Sequence, residues 1–197
     1  MAFSLQSKIN AESLKYSLKR KYTTVYRKKL YLNGENMKKI VFIRHGKSSW
    51  SHNLPDIKRP LKEKGLNDGK LVSEVFKNQE FIPDMVFSSP AVRANTTCKL
   101  FMESLKIPND KVLIVDALYD FAGQNVIKYI QNLNNDLDNI MLFGHNYAFT
   151  SLVNALGNSY IDNLPTTGLV LIEFDTDSWK DLTNGISKLI IFPKNLR

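Results

Sequence analysis

Short apolar runs alternate with longer amphipathic stretches along most of the chain. Runs of four to six residues rich in β-branched side chains are typical of strands, whereas apolar residues spaced by three and four are typical of helices. The pattern predicts six strands, at Lys39–Ile43, Asp84–Phe87, Val112–Val115, Ile140–Phe143, Leu169–Phe174 and Ser187–Phe192. It predicts four helices, at 66–76, Val92–Leu105, Val126–Leu133 and Ala148–Leu156.

This alternation of strands and helices predicts an α/β fold. Its expected form is a three-layer sandwich, in which a mostly parallel central sheet is flanked by helices on both faces. The last two strands are joined by a polar turn around Asp175–Gly185, which predicts a C-terminal hairpin. A length of 197 residues is within the range of one such domain.

Composition excludes several classes of protein. Hydrophobic residues make up 43% and charged residues 23%, as in globular rather than disordered chains. A transmembrane helix needs ~20 apolar residues, and the apolar runs are far shorter, so we expect no membrane span. The lone Cys98 excludes an internal disulfide framework and any multi-cysteine metal site. We therefore expect a cytoplasmic protein.

The net charge of +8 is concentrated at the N-terminus. Residues 1–36 hold eight basic and two acidic side chains, a net charge of +6, whereas residues 37–197 hold 19 basic and 17 acidic ones. The nearly neutral body therefore gives no reason to expect nucleic acid as its partner. We divide the chain into a basic leader, residues 1–36, and a domain at 37–197.

Three interpretations of the basic leader are open. The first interpretation is a targeting presequence, because the segment is basic and poor in acidic residues. Alternatively, it is an arm that contacts RNA or an anionic membrane surface. The third interpretation is a disordered segment or one upstream of the true start at Met37, which directly precedes the first strong strand.

Polar residues follow three of the predicted strands at the point where each strand ends. Arg44 and His45 follow the first, Ser88-Ser89 the second, and Gly144-His145 the fourth, while Arg93 opens the helix after Ser88-Ser89. The carboxyl ends of parallel strands meet at one edge of a sheet, where the loops form the site. We therefore expect two histidines and two arginines to meet there.

These residue types indicate phosphoryl transfer. Arginine suits bidentate contact with phosphate oxygens, and nearby guanidinium groups lower the pKa of an imidazole, which then keeps a free lone pair. One histidine can therefore act as a nucleophile, and the second can donate to a phosphoryl oxygen in the transition state. Such a reaction needs no metal or other cofactor.

Four ordered sequence blocks resemble the histidine phosphatase superfamily, the phosphoglycerate-mutase-like fold, with most likeness to the SixA-type phosphohistidine phosphatases. The blocks are Arg-His-Gly-Lys-Ser-Ser-Trp at 44–50, Asp-Ile-Lys-Arg-Pro-Leu at 56–61 with Gly65, Ser-Ser-Pro-Ala-Val-Arg-Ala at 88–94 with Thr96-Thr97, and Gly-His-Asn at 144–146. Their order along the chain makes the resemblance specific, and it extends from Met37 to the C-terminus.

The resemblance implies a role for each matching residue. It implies that His45 is the nucleophile and phosphoryl acceptor, and that Arg44, Arg93 and His145 line the phosphate pocket. Asp56 is the first candidate for proton donor and later base. The residues implied in substrate binding are Ser48, Arg59 and Asn146.

The sequence departs from the wider superfamily at 115–120, where mutases and many phosphatases of this fold carry a glutamate acid. Here the segment reads Val-Asp-Ala-Leu-Tyr-Asp, which leaves Asp120 as a rival to Asp56. The SixA-type branch also lacks that glutamate. A phosphoramidate leaving group is a good one once its nitrogen is protonated, so a dedicated acid matters less.

The expected activity is a metal-independent phosphatase with a phosphohistidine intermediate. No insertion between Pro60 and Ser88 provides a lid over a small metabolite, which favours protein phosphohistidine as substrate. One alternative is a general phosphomonoesterase acting on small phosphorylated substrates. A second is a non-catalytic phosphate-binding module whose basic leader binds nucleic acid or membrane. Nothing in the sequence predicts the oligomeric state.

Overall fold

A six-stranded mixed sheet, in the order β3-β2-β4-β1-β5-β6, forms the centre of the protein. This computed structural model describes residues 37–51 and 53–197. The strands are β1 (Met37–Arg44), β2 (Met85–Ser88), β3 (Val112–Ile114), β4 (Asn139–Gly144), β5 (Leu169–Asp175) and β6 (Ile186–Ile191). The first four are parallel, and β5 pairs antiparallel with both β1 and β6. The predicted mostly parallel sheet and the C-terminal hairpin are therefore confirmed.

Helices cover both faces of the sheet. They are α1 (Glu63–Lys77), α2 (Val92–Leu105), α3 (Gln124–Gln131) and α4 (Ala148–Leu156). Side chains of a strand point alternately to opposite faces. Accordingly, Val41 and Ile43 of β1 belong to the core under α1 and α2, and Ile40 and Phe42 belong to the core under α3 and α4. The predicted three-layer architecture is confirmed.

Burial on both faces explains the continuous apolar runs of the central strands. Phe42 is fully buried and packs edge-on against Phe149 of α4, with ring centroids 5.3 Å apart. Full burial of such a side chain contributes about 1.5–3 kcal/mol. The run at 112–115 differs because β3 lies at an edge of the sheet, where Leu113 and Ile114 are about half exposed.

The register of the central strands places three loops side by side. β4 lies between β2 and β1, with Arg44 opposite Gly144 and Ser88 opposite Phe143. The loops that follow these strands therefore emerge together at the carboxyl edge of the sheet. That edge holds the candidate site.

One sequence-based expectation, the basic leader at 1–36, lies outside the described residues. Within residues 37–51 and 53–197, no helix is long and apolar enough to cross a membrane.

Candidate active site

Strand ends place the two histidines in adjacent loops. His45 directly follows β1 and His145 directly follows β4, and the His45 backbone N–H donates to the Gly144 carbonyl at 3.0 Å. The imidazole centroids are 5.1 Å apart. Arg93, in the first turn of α2, reaches between the two rings. The structure therefore brings together three of the residues that the sequence placed at this edge.

The imidazole of His45 is held in one tautomer. Its Nδ1 lies 2.7 Å from the Gly46 carbonyl oxygen, which can only accept, so Nδ1 carries the hydrogen and Nε2 keeps its lone pair. The pKa of His45 is lowered to about 3, mainly because the ring is buried. The Gly46 carbonyl opposes this shift, and the charges of Arg93, Arg44 and Arg59 add to it. Burial therefore lowers the pKa of His45 more than the neighbouring arginines do, although the sequence argument relied on the arginines.

Arg93 faces the lone pairs of both imidazoles. Its Nε lies 3.3 Å from His45 Nε2, and its Nη2 lies 3.3 Å from His145 Nδ1. A guanidinium only donates, so both facing nitrogens are acceptors. Arg93 is 1% exposed, and its charge is compensated by Asp56, whose carboxylate and main-chain carbonyl accept from it at 2.8 and 2.6 Å.

His145 is completely buried and has a hydroxyl partner on its other nitrogen. Nε2 lies 2.8 Å from Ser89 Oγ, at the end of β2. Burial, followed by the proximity of His45 and Arg93, lowers the pKa of His145 to about 2. The ring is therefore neutral, and with Nδ1 accepting from Arg93, Nε2 donates to Ser89.

The Asp56 carboxylate accepts hydrogen bonds from four donor atoms. Oδ1 accepts from Nε and Nη2 of Arg59, both at 2.9 Å. Oδ2 accepts from Arg93 Nη2 at 2.8 Å and from the Tyr119 hydroxyl at 2.7 Å. Partial burial raises the pKa of Asp56, but the hydrogen bonds from Tyr119 and Arg93 and the charges of Arg93 and Arg59 outweigh it and lower the pKa to about 2.

Arg59 forms the outer wall of the cluster. Its Nη1 donates to Ser48 Oγ at 3.1 Å, and its Cζ lies 3.4 Å from the centroid of the Trp50 ring. Arg59 is only 6% exposed although Trp50 is 75% exposed. The indole therefore covers the guanidinium, an arrangement that strengthens a cation–π contact by removing water. The Arg59–Asp56 pair belongs to the site and is not an isolated surface ion pair.

Arg44, the last residue of β1, contacts the loop at 163–164. Its Nη1 donates to the Leu164 carbonyl at 2.7 Å and contacts Asn163 Oδ1 at 3.4 Å. Its Nε is buried with no hydrogen-bond partner within the part of the chain that the structure describes. Burial lowers the pKa of Arg44. A buried donor without a partner is costly.

Asn146 uses both ends of its side-chain amide in contacts with α4 and with the loop that contains Asn163. Oδ1 accepts from the Thr150 hydroxyl at 2.7 Å, and Nδ2 donates to Asn163 Oδ1 at 2.6 Å. The structure therefore does not bring Asn146 into the hydrogen-bonded cluster of histidines and arginines. Asn146 instead connects the loop after β4 to the loop at 163–164, which contacts Arg44.

The rival acid, Asp120, has a different environment from Asp56. Its carboxylate accepts four backbone N–H groups at the start of α3, those of Ala122, Gly123, Asn125 and Val126. Burial raises the pKa of Asp120, but these hydrogen bonds outweigh it and lower the pKa. A carboxylate at a helix N-terminus is stabilised in its ionised form, so the geometry gives Asp120 a capping role.

Two glycines allow the His45 loop to lie against the start of α1. A Cβ on Gly65 would lie 2.4 Å from the Lys47 carbonyl oxygen, and one on Gly46 would lie 2.9 Å from the Gly65 carbonyl oxygen. The Gly46 N–H also donates to Thr97 Oγ1 of α2 at 2.9 Å. The loop is therefore fixed by both helices of one face.

Sequence reasoning missed two participants. Tyr119 follows a short 3-10 turn and has no periodic signal, although it lies within the segment inspected for a glutamate. Ser89 was placed at a strand end with no role assigned to it, yet its hydroxyl is the partner of His145. Among residues 37–51 and 53–197, no group of three His, Cys, Asp or Glu side chains is placed to hold a metal ion.

Comparisons with known proteins agree with this geometry. Residues 40–122 match the family model of the histidine phosphatase superfamily (branch 1). An uncharacterised chloroplastic protein of Arabidopsis thaliana is 25% identical over 153 residues, 73% of this chain and 70% of that protein. A phosphoglycerate mutase of Schizosaccharomyces pombe is 33% identical over 101 residues, 49% of this chain and 46% of that enzyme. The structure of the protein histidine phosphatase SixA complexed with tungstate has a TM-score of 0.69 at 22% identity, covering 81% of this chain and 99% of that one.

The matched segment contains His45, Asp56 and Arg93, and the fold is similar to those of SixA and phosphoglycerate mutase. Over residues 40–122 the chain is similar to the histidine phosphatase superfamily. This match supports an enzyme of the phosphatase or mutase type, and the resemblance stated from the sequence blocks is confirmed.

Proposed function

We propose that this protein is a phosphohistidine phosphatase that hydrolyses phosphorylated histidine in proteins through a phosphohistidine intermediate on His45, without a metal. The observation that carries the proposal is the lone pair on His45 Nε2, fixed by the Gly46 carbonyl and faced by Arg93 and His145. A neutral, oriented imidazole beside buried guanidinium groups has the requirements of a nucleophile that attacks a dianion.

In the first half-reaction, His45 Nε2 attacks the phosphorus of the substrate. The bond from phosphorus to the substrate nitrogen breaks, and its electron pair stays on the leaving imidazole. That imidazole leaves as a neutral group when its other ring nitrogen is already protonated, so no strong acid is required. Arg44 and Arg93 stabilise the charge on the phosphoryl oxygens. His145 donates to the phosphoryl group in its other tautomer, in which Nδ1 carries the hydrogen and Nε2 accepts from Ser89.

In the second half-reaction, water attacks the phosphoryl group on His45. The phosphorus–nitrogen bond breaks, its electron pair returns to Nε2, and the proton of water passes to a base. Asp56 is ionised at neutral pH because its pKa is about 2. The carboxylate is therefore better suited to the role of base than to that of initial proton donor, and phosphate bound beside it would raise its pKa toward a more effective value.

The rim of the site supports a protein substrate. Trp50 and Tyr147 are 75% and 70% exposed, and Phe121 is 48% exposed with its ring centroid 5.1 Å from that of His145. Large exposed aromatic side chains are typical of surfaces that recognise proteins. Between α1 and β2 the chain has only residues 78–84, too few for a lid domain. SixA, whose fold is similar, is a protein histidine phosphatase.

The test is phosphate release from a phosphohistidine-bearing protein in the presence of a chelator. We expect turnover by the wild type and a loss of about 10³-fold or more in His45→Ala, as for a nucleophile. The wild type should also form a phosphoenzyme that is labile in acid and absent from His45→Ala. Near-normal activity in the variant, with its fold verified by circular dichroism, would refute the mechanism.

A second candidate is a phosphomonoesterase for small metabolites, which is favoured by the 33% identity to a phosphoglycerate mutase. Hydrolysis of a sugar-phosphate and aryl-phosphate panel, measured beside the phosphohistidine protein, separates the two. Faster turnover of a metabolite would keep His45 as nucleophile and replace the protein substrate. Tungstate binding without turnover of any substrate would indicate a non-catalytic phosphate-binding module.

A further inference from the structure

We propose that Tyr119 is a positioning residue that holds the Asp56 carboxylate in the orientation needed to take a proton from the water attacking phospho-His45. The inference rests on the proposed function. It assigns Tyr119 to the second half-reaction only, so the effect of substituting Tyr119 can be distinguished from the effect of substituting His45.

The first argument is how the four donors to Asp56 are shared. The two bonds from Arg59 occupy Oδ1, whereas Oδ2 is shared by Arg93 and the Tyr119 hydroxyl. Arg93 also faces the imidazole nitrogens between which a phosphoryl group would bind. When phosphoryl oxygens compete for Arg93, Tyr119 is the remaining partner that keeps Oδ2 in place.

The second argument is that the Tyr119 ring is itself held in place. It packs edge-on against His145 and against Phe121, with ring centroids 5.3 Å away in each case. Its backbone N–H donates to the Asp116 carbonyl at 2.9 Å, which closes the short turn before it. The hydroxyl is therefore held in position by packing and links Asp56 to the second histidine.

The third argument is electrostatic. Among the described residues, the charged or titratable groups beside Asp56 favour its ionised form or are neutral. They are Arg59 on its own turn, Arg93 on α2, the Tyr119 hydroxyl, and the uncharged rings of His45 and His145. Partial burial and the contact with Asp56 raise the pKa of Tyr119, so its hydroxyl stays protonated and donates at neutral pH. The proton from water then passes to Asp56, and the phosphorus–nitrogen electron pair returns to His45.

The substitution Tyr119→Phe tests this role, because it keeps the packed ring and removes only the hydroxyl. Loss of a hydrogen bond to a charged group corresponds to about 10- to 100-fold, and we expect breakdown of the phosphoenzyme to slow by that factor. Its formation should be little changed. The acid limb of the breakdown rate should move to higher pH, because Asp56 loses a donor that favours its ionised form.

The measurement is rapid-quench single turnover on the phosphohistidine protein from pH 8 down to pH 3, toward the pKa of Asp56, and it separates formation from breakdown of the phosphoenzyme. Tyr129→Phe is the matched control, because that ring lies in α3 and packs against Phe87, outside the site. Tyr119→Phe should also have no further effect on breakdown in Asp56→Asn, since residues that act through one another are not additive.

Three kinds of result would overturn the inference. Equal slowing of formation and breakdown in Tyr119→Phe, or an unchanged acid limb, would reduce Tyr119 to a packing residue. Full additivity with Asp56→Asn would show that it acts independently of Asp56. Absence of any phosphoenzyme in the wild type would overturn the proposed function together with this inference, whereas the first two kinds leave the proposed function standing.

Discussion

At the residue scale, the two imidazoles differ in how firmly their protons are placed. The Gly46 carbonyl can only accept, so His45 always presents its Nε2 lone pair. The Ser89 hydroxyl can accept or donate, so His145 can change tautomer without losing its partner. His145 can therefore accept from Arg93 in the free site and donate from Nδ1 to a bound phosphoryl group.

Removal of the Ser89 hydroxyl should therefore impair the reaction. In Ser89→Ala, His145 Nε2 has no partner, and an unsatisfied buried group costs about 1–3 kcal/mol, so we expect kcat to fall by about tenfold or more. Ser88→Ala is the control, because the Ser88 hydroxyl is equally buried but donates to the Ser89 carbonyl instead. Steady-state kinetics of the two variants check this, and equal losses would contradict it.

The sequence predicted the position of most residues of the candidate site for an identifiable reason. His45, His145 and Arg93 follow strand ends or open a helix, and these positions are visible in the apolar pattern. Tyr119 was not predictable, because its contact with Asp56 joins residues 63 positions apart and depends on tertiary packing. The cover of Trp50 over Arg59 is likewise a tertiary contact without a periodic signal.

At the scale of elements, the apolar pattern predicts where helices begin and end but not where each strand lies in the sheet. The bounds of α2 and α4 agree with the apolar spacing, because each helix buries one well-defined face. Strand order is another matter, since periodicity does not state that β4 lies between β1 and β2. The apolar pattern also does not predict that β3 lies at the edge of the sheet, with its apolar side chains half exposed.

Helix α1 contains a matched pair of glycines that tests how the His45 loop is held. Alanine at either position gains about 1 kcal/mol of helix propensity. In Gly65→Ala the new Cβ would lie 2.4 Å from the Lys47 carbonyl oxygen, which is backbone and cannot rotate away. In Gly69→Ala it meets the end of the Leu100 side chain, which can move.

We expect Gly65→Ala to displace the His45 loop and to lower both kcat and the melting temperature. The loss of activity should be at least tenfold, because a nucleophile misplaced by about 1 Å can cost about 100-fold. Gly69→Ala should retain near-normal activity. Activity and thermal unfolding of both variants test the expectation, and comparable activity in the two would show that the close contact does not position the loop.

At the scale of the whole molecule, the site makes folding depend on pH. His45 and His145 have pKa values of about 3 and 2 in the folded protein, against 6.5 for an ordinary histidine. Between these values the unfolded chain binds more protons than the folded one, so the stability is complete above pH 6.5 and is lost as the pH falls. The lowered pKa of Asp56 acts with the same sign below its ordinary value of 3.8.

Acid should therefore destabilise this protein well above the range in which carboxylates titrate. Each histidine contributes a decrease of at most about 1.4 kcal/mol per pH unit to the free energy of unfolding. Urea unfolding between pH 7 and 4.5 measures this slope. We expect His145→Gln to reduce the slope and the double variant His45→Gln, His145→Gln to reduce it further, because glutamine does not titrate. An equal slope in the wild type and the double variant would place the acid sensitivity elsewhere in the chain.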